Sequence, residues 1–261
     1  MIQQTFGNEI RKGLQISWSY RINFLLDMAV FSLIFFFLSF MMGDGEVDRF
    51  ETRSSYLLGW LVSMYAFSAI SNMGYAIREE TVTGTFEQMM MAPVPPSILI
   101  LARSVASLLT STIVVVIVGT MLSIAMGIDL PLRLAGLPVF ILTMMGLFAF
   151  GFVIAGLTIL FKRMEMLGNM IANLLLLLNG TFVAVDKFTE WLAAVARMLP
   201  TTQGLIVLRR VMLDGDSLVT VWKDGALPEL ILHSTVFFAI GVLIYMYCER
   251  VARRRGTLGH Y

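Results

Sequence analysis

Side chains able to make or break bonds are scarce in this chain of 261 residues. It has two histidines, His233 and His260, and one cysteine, Cys248. A hydrolase working inside a bilayer needs a nucleophile beside a base, or paired carboxyl groups, and neither that pattern nor a G-x-S-x-G elbow occurs. No G-x-x-x-x-G-K-[ST] loop is present, and no glycine precedes a lysine anywhere, so the sequence holds no recognisable cradle for ATP. No catalytic, cofactor-binding or metal-ligating residue is expected, and the lone cysteine forms no internal disulfide. Two other sets of polar residues stand out by their setting. Asp27, Asn169 and Asn173 sit inside apolar runs, and charge, glycine, threonine and methionine crowd together from Arg78 to Pro96.

The runs that must position these residues are unlike those of a soluble domain. Hydrophobic residues make up 57% of the chain and charged ones 14%, where a soluble domain has about 25% charged residues. Net charge is +1, with no long cationic run, so no nucleic-acid partner is expected. Six charge-poor windows fall at 22–42, 54–77, 104–128, 134–161, 166–185 and 230–248. Each suits a hydrocarbon core about 30 Å thick, which a helix crosses in roughly 20 residues. Runs such as Leu174 to Leu178 do not alternate, which favours helices over a barrel, and helices bond their own backbone in lipid. The expected fold is an all-α membrane protein of six spans, a single transmembrane domain over 1–261.

An even number of spans places both ends on one side. With the ends inside, the inner segments hold eleven basic residues and the outer ones eight, five of those eight in the long stretch 186–229. That asymmetry favours cytoplasmic termini. Residues 1–21 have no apolar core of the kind a cleavable leader needs; instead Ile2, Phe6, Ile10, Leu14 and Trp18 recur every four residues, the pattern of an interfacial helix or of a basic leader orienting the first span.

In the stretch 78–96, Gly84 permits a turn, Thr85 suits an N-cap, Glu87 suits the positive end of a short helix, and Pro93 stops it. Phe86, Met89, Met90 and Met91 give that helix adaptable apolar surface, for docking or for resting against lipid. In 186–229, Phe188, Trp191, Leu192, Val195 and Leu199 recur at spacings of three and four. Pro200 breaks the pattern, and Leu205, Leu208, Val211 and Met212 resume it, so two short amphipathic helices are expected.

The run Glu80, Gly84, Thr85, Glu87 and Pro93, of the form E-x-x-x-G-T-x-E before a proline, resembles the cytoplasmic coupling helix of type-two ATP-binding-cassette exporter permeases. It stands between the second and third windows, as in that family. The stretch Met198 to Thr202, followed by Leu205, Leu208, Arg209 and Arg210, is similar to the family's outer region. The resemblance spans essentially the whole chain. It implies a non-catalytic subunit of the bacterial inner membrane that works beside a second copy or a homologous permease. The pair would be seated on two copies of an ABC ATP-binding protein, which would carry ATP and magnesium. It assigns ATPase coupling to Glu80, Gly84, Thr85, Phe86, Glu87, Met89, Met90 and Pro93, and an outer gate to Trp191, Leu199, Pro200, Thr201 and Arg209.

Residues open to a pathway role are Asp27, Phe31, Phe35, Asn169 and Asn173. The structural alternatives are hydration or pairing with Arg21 for Asp27, lipid contact for the phenylalanines and interhelical packing for the asparagines. The G-T-x-E form looks more like the branch exporting drugs and small hydrophobic molecules. Export of a glycolipid or lipid-linked polysaccharide is the alternative, and an ion-coupled secondary transporter a more distant one, since Asp27 alone is thin provision for proton coupling.

Overall fold

The computed structural model describes residues 7–8, 11, 21–41, 49–82, 96–131, 133–161 and 164–255. Within them the long helices are α1 (Arg21–Met41), α2 (Arg49–Val82), α3 (Pro96–Met126), α4 (Gly136–Phe161), α5 (Glu165–Leu178) and α9 (Ala226–Arg255). Between α5 and α9 lie the short helices α6 (Glu190–Met198), α7 (Pro200–Arg209) and α8 (Leu218–Lys223), with a π turn over Arg210–Asp214. No strand occurs among the described residues. The protein is all-α, as its non-alternating apolar runs require.

Helix α4 is the hub, packing against α9, α2, α7 and α5. Its contact with α9 is close enough that a methyl group on Gly241 would lie 2.5 Å from the Ala149 carbonyl oxygen. Phe152 of α4 meets Phe238 and Tyr245 of α9 edge-on, with ring centroids 5.8 and 5.9 Å apart. The other interior helix is α2. Leu57, Ile70 and Ile77 are fully or almost fully buried in it, and hydroxyls on its length find partners on its neighbours. Tyr65 donates to Thr112 Oγ1 at 3.1 Å, Ser68 meets Ser107 at 3.3 Å and also Ser111, and Ser71 donates to Asn169 Oδ1 at 2.7 Å. A helix enclosed by others can carry such groups, because each is paired within protein and none faces hydrocarbon.

The outward faces are apolar. Leu33, Phe36, Phe37 and Phe40 on α1, Ile113 and Ile124 on α3, and Leu232 and Leu243 on α9 are all exposed. Exposed apolar faces of this kind are stable against lipid and not against water. Among the described residues three helices are long and apolar enough to cross a membrane: Ile98–Met126, Gly136–Phe161 and Ala226–Arg254. The α6–α7 pair adds a fourth candidate if it is counted as one broken span, and Ala29–Phe40 and Met166–Leu178 are shorter apolar stretches. The chain is a multi-pass membrane protein.

The apolar window 166–185 differs from its expectation in one respect. Helix occupies only its first part and ends at Leu178, because Asn179 turns its side chain onto the backbone beyond and Gly180 takes a left-handed φ of 78°. At 14 residues, α5 is about 21 Å long, short of the hydrocarbon core.

Candidate functional site

The residues expected to couple to an ATPase fall mostly outside the described residues. Gly84, Thr85, Phe86, Glu87, Met89, Met90 and Pro93 lie there, and of Glu80 only its helical backbone, in the last turns of α2, is described. Asp27 is likewise placed on α1 by its backbone alone. The geometry that can be built from side chains upward belongs to 179–229.

Leu199 and Pro200 form its elbow. Leu199 is extended, with φ −78° and ψ 130°, as a residue before proline should be, and Pro200 opens α7 where its missing N–H costs nothing. The axes of α6 and α7 differ there by 86°. Trp191 stays exposed on α6. By contrast α7 is driven into the bundle, and Pro200, Thr201, Thr202, Gln203, Gly204, Leu205, Val207 and Leu208 are buried in it. Two glycines make the insertion possible. A side chain on Gly204 would overlap Thr143 of α4, and one on Gly146 of α4 would overlap the Pro200 ring. The sequence predicted two amphipathic helices here; the second is enclosed rather than amphipathic.

Polar contacts pin the elbow. Gln203 Nε2 donates at 3.0 Å both to the Arg197 carbonyl at the end of α6 and to Glu229 Oε1 at the start of α9. Thr202 Oγ1 reaches the Leu178 carbonyl at 3.4 Å, one of the carbonyls that the end of α5 leaves free. Below them, Asn179 Nδ2 donates to Ser63 Oγ at 2.9 Å, and its Oδ1 accepts from the Thr181 N–H at 2.9 Å and the Thr181 hydroxyl at 2.6 Å. Ser63 passes its own proton to the Gly59 carbonyl at 2.8 Å. This ties α2 to the turn after α5 through an amide that is almost completely enclosed. On the other side Arg210 clamps the loop past the π turn, with Nε on Asp216 and Nη2 on Asp224 at 2.8 and 2.7 Å. The bonds to Asp224 first, then Asp216, hold its pKa above the ordinary arginine value.

Arg209, one residue earlier, meets no carboxylate among the described residues. Its Nη2 donates to the carbonyls of Ser55 and Thr181 at 3.2 and 3.5 Å, and its buried Nε has no partner. The side chain borders a cavity of about 560 Å³ whose walls also include Tyr56, Gly180, Phe182, Lys187 and Asp214.

The remaining sequence-singled residues are dispersed. Phe35 is fully buried against Trp60, with ring centroids 5.7 Å apart, and Phe31 packs edge-on against Trp60 and Phe67 at 6.1 and 5.9 Å. Both rings are spent on the α1–α2 contact, and α1 turns other side chains to its exposed face. Asn169 accepts from Ser71 across the α2–α5 contact, while exposed Asn173 donates to the Asn169 carbonyl of its own helix at 3.0 Å. Sequence reasoning missed Gln203 and Asn179. The one signal available for Asn179 was an amide side chain ending a run of leucines, and Gln203, between Thr202 and Gly204, had none.

The decisive comparison is with known families. Residues 2–213 match the ABC-2 type transporter family. The chain belongs to that family. It is therefore the membrane component of an ABC-2 transporter, a permease that associates with an ATP-binding partner. The match runs from the amino-terminal segment to the π turn after α7, so the elbow lies inside the shared region. No curated protein matches the chain.

Proposed function

We propose that this permease is the pathway subunit of an ATP-driven exporter for a small hydrophobic or amphipathic molecule. In this reading six spans cross the membrane, namely α1 to α4, the window 166–185 made of α5 and the turn after it, and α9, with both termini in the cytoplasm of a bacterial cell. Two permease chains, identical or homologous, sit on two ATP-binding subunits, which hold ATP and magnesium. The stretch 78–96 takes the stroke of those subunits, and the α6–α7 elbow closes the outer end of the pathway.

The observation that carries this reading is the enclosure of α7. A helix set at 86° to α6 and buried against α4 and α9 supports a plug in the bundle. Its Thr202 contact with Leu178 sets it above the end of α5, the helix too short to cross alone. A plug held by glycine contacts and a few hydrogen bonds moves as a unit when the helices beneath it tilt, which suits alternating access.

Reconstitution with the ATP-binding partner tests the proposal. Candidate amphipathic compounds should stimulate ATP turnover, and export should require ATP. Reversing the charge of Glu87 (Glu87→Lys), or removing residues 85–91, should leave the permease inserted and separate ATP turnover from transport. Undiminished transport by such a variant, or transport by the permease without its partner, would refute the reading.

A further inference from the structure

The cavity beside Arg209 has the chemistry of a headgroup site. Its walls come from three places in the chain: Ser55 and Tyr56 at the start of α2, the turn Gly180 to Lys187, and Arg209, Leu213 and Asp214 at the end of α7 and in the π turn. A guanidinium taken partly out of water seeks an anion. Here Nη2 is spent on two neutral carbonyls and Nε is sealed off, which leaves Nη1 without a protein acceptor among the described residues. Gly180 lies beside that group: a methyl group there would be in ordinary contact with Arg209 Nη1, at 3.8 Å. Lys187 adds to the lining an exposed ammonium that bonds nothing among the described residues, and Asp214 supplies the single opposing charge. The lining is thus positive by one charge, and Phe182, Val183, Ala184 and Leu213 give it an apolar share.

We infer that this cavity binds a singly charged phosphate-type headgroup of an amphiphile, with the oxyanion between Arg209 Nη1 and Lys187 and the first carbons of its tail along Phe182 and Leu213. Guanidinium and ammonium together suit a phosphodiester oxyanion. A volume of about 560 Å³ is far more than an inorganic ion fills, and the apolar share of the lining has no use for one. The inference deepens the exporter reading, because it gives the outer end of the pathway a place where an amphipathic cargo or a neighbouring lipid is held.

The test uses the whole permease purified in a neutral maltoside detergent, without its ATP-binding partner. Three probes are titrated while thermal unfolding is followed: dihexanoylphosphatidylglycerol, inorganic phosphate and uncharged dihexanoylglycerol. The phosphodiester lipid should raise the unfolding midpoint in a saturable way. Lys187→Gln removes one charge and disturbs no hydrogen bond, and should weaken that binding about tenfold. Arg209→Lys, which keeps the charge but loses the fork, should weaken it further. Inorganic phosphate acting as strongly as the lipid would make the ligand a free anion. Equal action by the uncharged lipid, or no dependence on Lys187, would overturn the site. With no ATPase or transport in the assay, failure here leaves the exporter reading standing, and failure of transport leaves this binding measurement intact.

Discussion

At the scale of single residues, three asparagines of one apolar run behave in three ways. Asn173 is exposed and bonds its own helix, Asn169 accepts one proton from Ser71, and Asn179 serves Ser63 and Thr181 at once. The cost of removal follows the number of groups stranded. Asn179→Ala leaves the Thr181 N–H and hydroxyl without an acceptor where Thr181 has no solvent exposure, and each unsatisfied group costs about 1–3 kcal/mol. We expect this variant to lose at least about 2 kcal/mol of stability, and Asn173→Ala to stay within about 0.5 kcal/mol of the parent. Unfolding in detergent would measure both, and equal losses would show that the Asn179 network does not carry the turn. Spacing singled out Asn169 and Asn173 because they repeat at four residues. Asn179 escaped because its partners, Ser63 and Thr181, are joined to it by folding and by a turn that no periodicity announces.

At the scale of elements, the helices were legible wherever one solvent surrounds them. Charge-poor apolar runs overlap α1, α3, α4 and α9, since lipid rewards every outward side chain alike, but α3 starts eight residues before its window and α9 runs seven beyond its own. The same uniformity concealed the end of α5. Val183, Ala184 and Val185 are as apolar as the leucines before them, yet they form a turn and a 3-10 helix that line the Arg209 cavity and back it. Nor could hydropathy foretell that α7 would be enclosed; that is settled by small residues on the facing helix. Gly204→Ala should accordingly disturb the elbow, since overpacking costs typically 1–3 kcal/mol in proteins. Trimming the opposing side chain with Thr143→Ala should restore part of the loss. A double-mutant cycle followed by unfolding would then give a favourable coupling between the two changes. Additive losses would mean that α7 does not press on Thr143 in the working membrane.

At the scale of the whole molecule, orientation rests on basic residues and is tested by chemistry from either side. Arg250, Arg253, Arg254 and Arg255 close α9 at one end, and the elbow segment with Lys223 lies before its start at the other. If six helices cross and the basic end faces the cytoplasm, these two groups stand on opposite sides of the membrane. The chain makes the experiment clean, because its one cysteine, Cys248, is 3% exposed and can be replaced by alanine. On that background Lys223→Cys should react with a membrane-impermeant maleimide on intact cells. Arg254→Cys, also at an exposed position, should react only once the membrane is opened. The reverse pattern would invert the protein and place the headgroup cavity on the cytoplasmic side. Reaction of both from outside would break the link between α9 and a full crossing. Because α9 packs along most of the hub helix α4, such a result would require that the core of the bundle, and not merely its last helix, be placed differently in the bilayer.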